Sequence, residues 1–81
     1  MARFFFDIHS NGQVTADESG TELPDTEAVR REAMAVLPAI AKDEVAKDGD
    51  RQTFAVHVTD EDGRSVYTAT LNFAGLWLLR D

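Results

Sequence analysis

Two histidines and one aspartate are the residues of this 81-residue chain that could do metal chemistry. Asp7, His9 and His57 occupy alternating positions of two predicted strands, so their side chains share the sheet face that is opposite the helix. Imidazole nitrogens and carboxylates are ligands of zinc and of other divalent metals. Their spacing matches no established metal motif, however. We therefore predict no bound metal and no cofactor, and we keep this trio as the alternative metal site.

Other residue types that carry chemistry lack the arrangement that the chemistry needs. Residues 60–63 are acidic and end in glycine, but the fifth position counted from Asp60 is Arg64 and the twelfth is Leu71, so the EF-hand spacing fails. No serine lies in a nucleophile-elbow sequence or has an evident histidine partner, and the chain has no cysteine. The five glycines are isolated and form no phosphate loop. We predict that the protein is not an enzyme; a metal-dependent enzyme that uses the open sheet face is the third hypothesis.

Acidic residues give the chain a formal charge of -7. Such a field repels phosphate backbones and anionic lipid, so we expect neither nucleic acid nor a membrane as a partner. The densest acidic group is interpreted either as a solvated loop that runs into the positive end of a helix dipole, or as a docking patch for a basic protein. Its members are Asp17, Glu18, Glu22, Asp25 and Glu27.

One long helix, predicted over residues 25–47, is the element that must position these groups. Asp25 or Thr26 caps its start, and Gly49 ends it. Pro38 lies inside the helix, where it removes a backbone hydrogen bond and predicts a kink. Apolar residues at spacings of three and four form the stripe that faces the sheet: Val29, Ala33, Val36, Leu37 and Ile40.

Alternating apolar residues predict one β-hairpin on each side of this helix. Residues 3–9 and 13–16 are joined by Asn11-Gly12, a strong hairpin signal, and residues 52–59 and 65–73 form the second pair. The expected fold is α+β: a single domain over residues 1–81, a two-layer ββαββ sandwich with a four-stranded sheet and the long kinked helix on one face. We expect the strand order 2-1-3-4, with the first and third strands parallel.

Self-association is predicted from the small core and from apolar residues that the single helix does not cover. Phe5, Ala55 and Val66 are expected on the open sheet face. Residues 74–81 form an apolar tail that either packs back over the core or lies at an interface with another chain. The interface candidates of the tail are Leu76, Trp77, Leu78 and Leu79.

The N-terminal residues have no signal-peptide pattern, and no segment is long and apolar enough to span a membrane. We therefore expect a cytoplasmic protein.

Five segments together carry a family resemblance: the aromatic strand 3–9, the Asn11-Gly12 turn, the acidic segment 17–25, the helix opening 27–33 and the hairpin turn 60–64. In this combination they resemble a family of short bacterial proteins catalogued as domain of unknown function 6894. The resemblance extends to Phe73 and excludes the 76–79 tail. It implies a small bacterial domain with no assigned activity and no catalytic residues to carry over.

A hairpin, an acidic loop with Leu23-Pro24-Asp25 and a helix are also similar in topology to the N-terminal domain of the HicB-type antitoxins, which neutralise a basic RNA-cleaving partner. No DNA-binding helix pair follows here, and a fold-level analogy alone does not carry function. We predict a non-catalytic protein-interaction or regulatory module that forms a homodimer. The alternative is an acidic antitoxin-like inhibitor of a basic RNA-cleaving protein.

Overall fold

The structure of the protein, a computed structural model, describes residues 1–79 apart from the side chains of residues 46–48. Its elements in chain order are β1 (Ala2–Ser10), β2 (Gln13–Thr15), β3 (Thr21–Leu23), α1 (Thr26–Asp48), β4 (Arg51–Thr59) and β5 (Ser65–Ala74). One helix packs on one antiparallel sheet, which confirms the α+β class.

The sheet has five strands where the sequence predicted four. The order β2-β1-β4-β5 agrees with the predicted order, and the additional strand β3 pairs with the first residues of β1. β2 covers only the end of β1, from Ile8 to Ser10, so the edge at the start of β1 accepts β3 through the Ala2↔Leu23 and Phe4↔Thr21 pairs. A three-residue polar strand has too little alternation to be predicted, because its stability comes from the strand beside it.

The prediction that the first strand and the strand after the helix are parallel is wrong. β1 and β4 are antiparallel, with Phe5 opposite Thr59 and Ser10 opposite Phe54. The reason is geometrical: β2 and β3 both run back along β1, and the helix then returns the chain over the length of the sheet. The next strand must run with β3 and against β1.

Both ends of the helix are the predicted ones. The Asp25 carboxylate accepts a hydrogen bond from the Ala28 N–H at 2.8 Å, which makes Asp25 the N-cap. Gly49, with φ 103°, takes the position after the last turn. Pro38 lies within this single helix. The kink at Pro38 stays a prediction.

The core lies between the helix and the central strands. It combines aromatic residues of β1, small and branched residues of the helix and the inward positions of β4: Phe4, Phe6, Val29, Ala33, Leu37, Ala41, Phe54, Val56 and Val58. Of the predicted helix stripe, Val36 and Ile40 are only half-buried. No helix in the described part of the chain is both long and apolar enough to cross a membrane.

A buried amide fastens the end of the helix to β4. Gln52 is 3% exposed, and its Nε2 donates hydrogen bonds to the Val45 carbonyl at 2.9 Å and the Gly49 carbonyl at 2.8 Å. These two carbonyls lie at the helix C-terminus, where the helix itself offers no donors.

Candidate functional site

The histidines and the aspartate of the alternative metal site lie on the open sheet face, as the alternation predicted. Asp7 is directly opposite His57 in the β1–β4 ladder, whereas His9 is opposite Ala55. Asp7 Oδ1 accepts a hydrogen bond from the Asp17 N–H at 2.9 Å. Among the described side chains, no three His, Asp or Glu residues converge in a way that could hold a metal ion.

His57 instead contacts a serine that the sequence left without a partner. Its Nε2 is 2.7 Å from Ser65 Oγ. A β-bulge between β4 and β5 causes this contact, because Thr59 is opposite Ser65 while Val58 is opposite Tyr67, so the register shifts there. Bulges leave no signal that alternation alone can detect, which is why the pair was missed.

A serine beside a histidine is the geometry of an activated nucleophile. The surroundings of this pair do not complete a nucleophilic site, because the pair lies in a surface depression of about 370 Å³ on the open side of the sheet. The nearest carboxylate across the ladder, Asp7, is hydrogen-bonded to the Asp17 backbone through Oδ1. The arrangement closes the bulge of β5, and it lacks the enclosed, water-excluding site that acyl transfer uses.

Asp17, the first member of the acidic group, fills the gap between β2 and β3 on the edge of β1. Its carboxylate accepts hydrogen bonds from the Phe6 N–H at 3.0 Å, the Gly20 N–H at 3.0 Å and the Ser19 N–H at 3.2 Å. The Phe6 and Gly20 hydrogen bonds lower the pKa of the Asp17 carboxyl below its ordinary value. This side chain therefore replaces a missing strand residue.

Arg3 holds the other side of the same loop. Its guanidinium donates to the Ser19 carbonyl at 2.7 Å and lies 3.3 Å from the Glu22 carboxylate. The chain must also approach β1 closely at Gly20, which has φ +74°. A Cβ at that position would lie 2.8 Å from Arg3 Cγ and 3.0 Å from Phe5 Cε2.

The remaining members of the acidic group are at the helix start and on the loop. Asp25 is the N-cap, and Glu27 pairs with Arg30 at 3.3 Å. Glu18 is exposed, and no hydrogen bond of its side chain is found within residues 1–79. Four of the five predicted binding residues thus have hydrogen bonds or ion pairs inside the chain. Of these four, Glu22, Asp25 and Glu27 are also exposed, as Glu18 is.

A second acidic segment, the 60–64 turn, has the structural role that was predicted for it. The Asp60 carboxylate accepts hydrogen bonds from the Asp62 N–H at 2.9 Å and the Arg64 N–H at 3.0 Å. The Arg64 hydrogen bond is the main reason that the pKa of Asp60 is lowered. The turn closes the β4–β5 hairpin.

The predicted interface residues separate into two groups. Phe5 and Ala55 are half-buried on the open sheet face. Val66, predicted beside them, follows Ser65 at the bulge and packs against the core cluster. This correction has the same cause as the His57 contact, because the extra residue of a bulge breaks the alternation.

The C-terminal tail was predicted over residues 74–81, of which residues 80 and 81 lie outside the described part of the chain. Its apolar residues 76–79 do not pack back on the core. Leu76, Trp77, Leu78 and Leu79 are 79–86% exposed. The Gly75 N–H donates to the Asp50 carbonyl at 2.6 Å, and residues 76–79 have no regular secondary structure. The molecule is 57 Å long but only 22 Å and 18 Å across, whereas a 23-residue helix spans only ~34 Å. A tail that projects from the end of the sheet accounts for the difference.

The strand that leads into the tail also has exposed apolar residues. Leu71 is 36% exposed and Phe73 is 39% exposed, on the face that the helix covers elsewhere. From Ser65 to Leu79 the chain has no charged residue, no histidine and no proline. This absence of charge is the signal in the sequence that could have marked the whole segment as an interface candidate.

The comparisons with known proteins identify the family. No curated protein and no solved structure matches the chain. The model of the family described as Domain of unknown function (DUF6894) matches residues 3–72, which run from β1 into β5 and leave out the tail. Since these residues make up most of the chain, the protein belongs to the DUF6894 family.

Proposed function

We propose that this protein is a small non-catalytic interaction module that self-associates as a homodimer. The observation that carries the proposal is the exposure of the tail, in which four successive large apolar side chains are each about four-fifths accessible. Isolated apolar residues on a surface are normal, but a contiguous apolar patch is typical of a protein–protein contact. A chain of 81 residues also has a small core and gains stability from a partner.

The acidic surface is proposed to select which partners approach. The formal charge is -7, and Glu18 faces solvent beside a loop that Asp17 and Arg3 hold in place. A fixed loop with an exposed carboxylate would steer a basic protein towards this end of the molecule, and the effect would weaken with added salt.

Sedimentation velocity of the full chain at increasing concentration tests self-association. We expect the weight-average mass to rise to that of a dimer by tens of micromolar, because the association equilibrium follows mass action. A monomer at every concentration in this range would refute the homodimer.

The second candidate function is an acidic inhibitor of a basic RNA-cleaving protein, and the charge of -7 is the observation that favours it. A pull-down from the native cell would then recover a small basic ribonuclease. Glu18→Lys should weaken its capture more than Asp43→Lys, which makes the same charge change on the exposed side of the helix. Equal capture by both variants, or recovery of no ribonuclease, would contradict this function.

A further inference from the structure

We propose that two copies of the chain pair through β5 and the tail as antiparallel strands, with the two-fold axis at Gly75. This inference rests on the proposed homodimer and names its interface. The occupant of the β5 edge is thus the same segment, residues 71–79, of a second copy.

The first argument is the composition of the edge. β5 is the last strand of the sheet, and within residues 1–79 no other strand pairs with its outer side. Natural edge strands are ordinarily protected by lysine, by proline or by inward-pointing charges, because an open edge recruits another strand. Here the fifteen residues from Ser65 to Leu79 contain none of these, in a chain that is 28% charged as a whole.

The second argument is the direction of the backbone groups. The Gly75 N–H points towards β4, where it donates to the Asp50 carbonyl. Because N–H and C=O groups alternate in direction along a strand, the backbone groups of Asn72 and Ala74 point to the outer edge. An antiparallel strand placed there would receive and donate the hydrogen bonds that this edge offers.

The third argument is the symmetry of the exposed apolar residues. Leu71 and Phe73 lie two and four residues before Gly75, and Trp77 and Leu79 lie two and four residues after it. When two such strands run antiparallel about Gly75, Phe73 is opposite Trp77 of the second copy and Leu71 is opposite Leu79. Residues directly opposite each other lie on one face of a sheet, so all four apolar side chains of each copy meet.

The exposed apolar area of β5 and the tail is consistent with a second copy of the chain as the occupant. With ~100–200 Å² for each large apolar side chain, the tail and the two strand residues expose on the order of 600 Å² per copy. If the contact covered all of this area, two copies together would bury about 1,200 Å², which is the lower limit of a standard specific interface. A two-fold pairing uses the same surface from both partners, as most homodimers do.

Cysteine cross-linking tests the register, because the native chain has no cysteine. Gly75→Cys places one thiol on the axis, where opposite Cα atoms are ~4.5 Å apart and a disulfide can form. The atoms nearest to its new Cβ belong to the exposed Asp50 side chain, with Oδ1 at 3.2 Å. Thr70→Cys is the control, since the two copies of residue 70 would lie ~34 Å apart. A mixture of Phe73→Cys and Trp77→Cys proteins provides a second cross-link that needs no change at Gly75.

The companion measurement is the mass of Trp77→Asp by sedimentation, with Met34→Asp as the control. Met34 is 55% exposed on the helix, so it receives the same charge outside the proposed interface.

We expect a halved mass for Trp77→Asp, the dimer mass for Met34→Asp, and a disulfide dimer for Gly75→Cys but not for Thr70→Cys. If the wild-type chain is a dimer but Trp77→Asp is one too and neither cross-link forms, this interface is wrong while the proposed self-association stands. A monomeric wild-type chain overturns both.

Discussion

The acidic loop before the helix and the uncharged C-terminal segment use their side chains in opposite ways. Asp17 and Glu22 have the residue types of a binding surface, yet they bond to the backbone of β1 and to Arg3. Trp77 and Leu79 have the residue types of a core, yet they are exposed. Residue type alone therefore does not show which side chains find a partner inside the chain, because that depends on what the neighbouring elements supply.

The largest expected effect on stability comes from a substitution in the acidic loop before the helix. Gly20→Ala should lower the free energy of unfolding by about 2–4 kcal/mol. The alanine would have a strained positive φ, and its Cβ would overlap Arg3 and Phe5. Urea denaturation measures the loss. The matched control is Gly12→Ala, which has a similar φ of +89° but no atom within 4 Å of the new Cβ. Equal losses in the two variants would show that the close approach at Gly20 carries no energy.

A smaller loss is expected when the carboxylate that bridges β2 and β3 is neutralised. Asp17→Asn should lower the free energy of unfolding by about 1–2 kcal/mol at neutral pH. This is at or below the lower end of the ~1.5–3 kcal/mol typical of hydrogen bonds to a charged group, because the side chain is partly solvated. Glu18→Gln removes a neighbouring charge and should change the stability by less than ~0.5 kcal/mol. An equal cost for both variants would mean that Asp17 acts only through its charge.

The pH dependence of that loss follows from the lowered pKa. A carboxyl whose pKa is lower in the folded state than its ordinary 3.8 contributes stability above that value and loses it as the pH falls through the folded-state pKa. The difference in unfolding free energy between the wild-type chain and Asp17→Asn should therefore be largest near neutral pH and shrink below about pH 4. Urea titrations at several pH values would contradict this if the difference grew on acidification.

The smallest effect on the stability of the monomer is expected from removing the tail. Ending the chain after Gly75 should change the unfolding free energy of the monomer by less than ~0.5 kcal/mol, because residues 76–79 are exposed along their whole length. The same truncation should abolish the dimer. Denaturation at a concentration below the dimer range separates the two effects, and a large loss there would mean that the tail supports its own domain.

Features with a local cause could be predicted from the sequence. The Asp25 cap, the Asn11-Gly12 turn, the Gly49 stop and the two long hairpin strands each depend on residues that are close together in the chain. The order of the four predicted strands, β2-β1-β4-β5, was also predicted correctly. The α+β class followed from the order of these elements along the chain alone.

Features that depend on distant residues could not be predicted. β3 exists because β1 is longer than β2, and the role of Asp17 depends on the Phe6 N–H, eleven residues away. The bulge that joins His57 to Ser65 and moves Val66 to the core depends on the register between two strands. Alternation describes each strand alone, so it contains no information on how two strands are aligned.

The amide of Gln52 has a consequence for local opening. Because its Nε2 bonds both Val45 and Gly49, the last turn of the helix cannot fray without disturbing the first residues of β4. Helix ends ordinarily exchange their amide hydrogens fastest, yet here the helix end and the start of β4 should open together as one cooperative unit. The tail leaves the sheet beside this unit, since Gly75 bonds to Asp50. A partner that holds the tail would therefore slow hydrogen exchange at a helix end that it never touches.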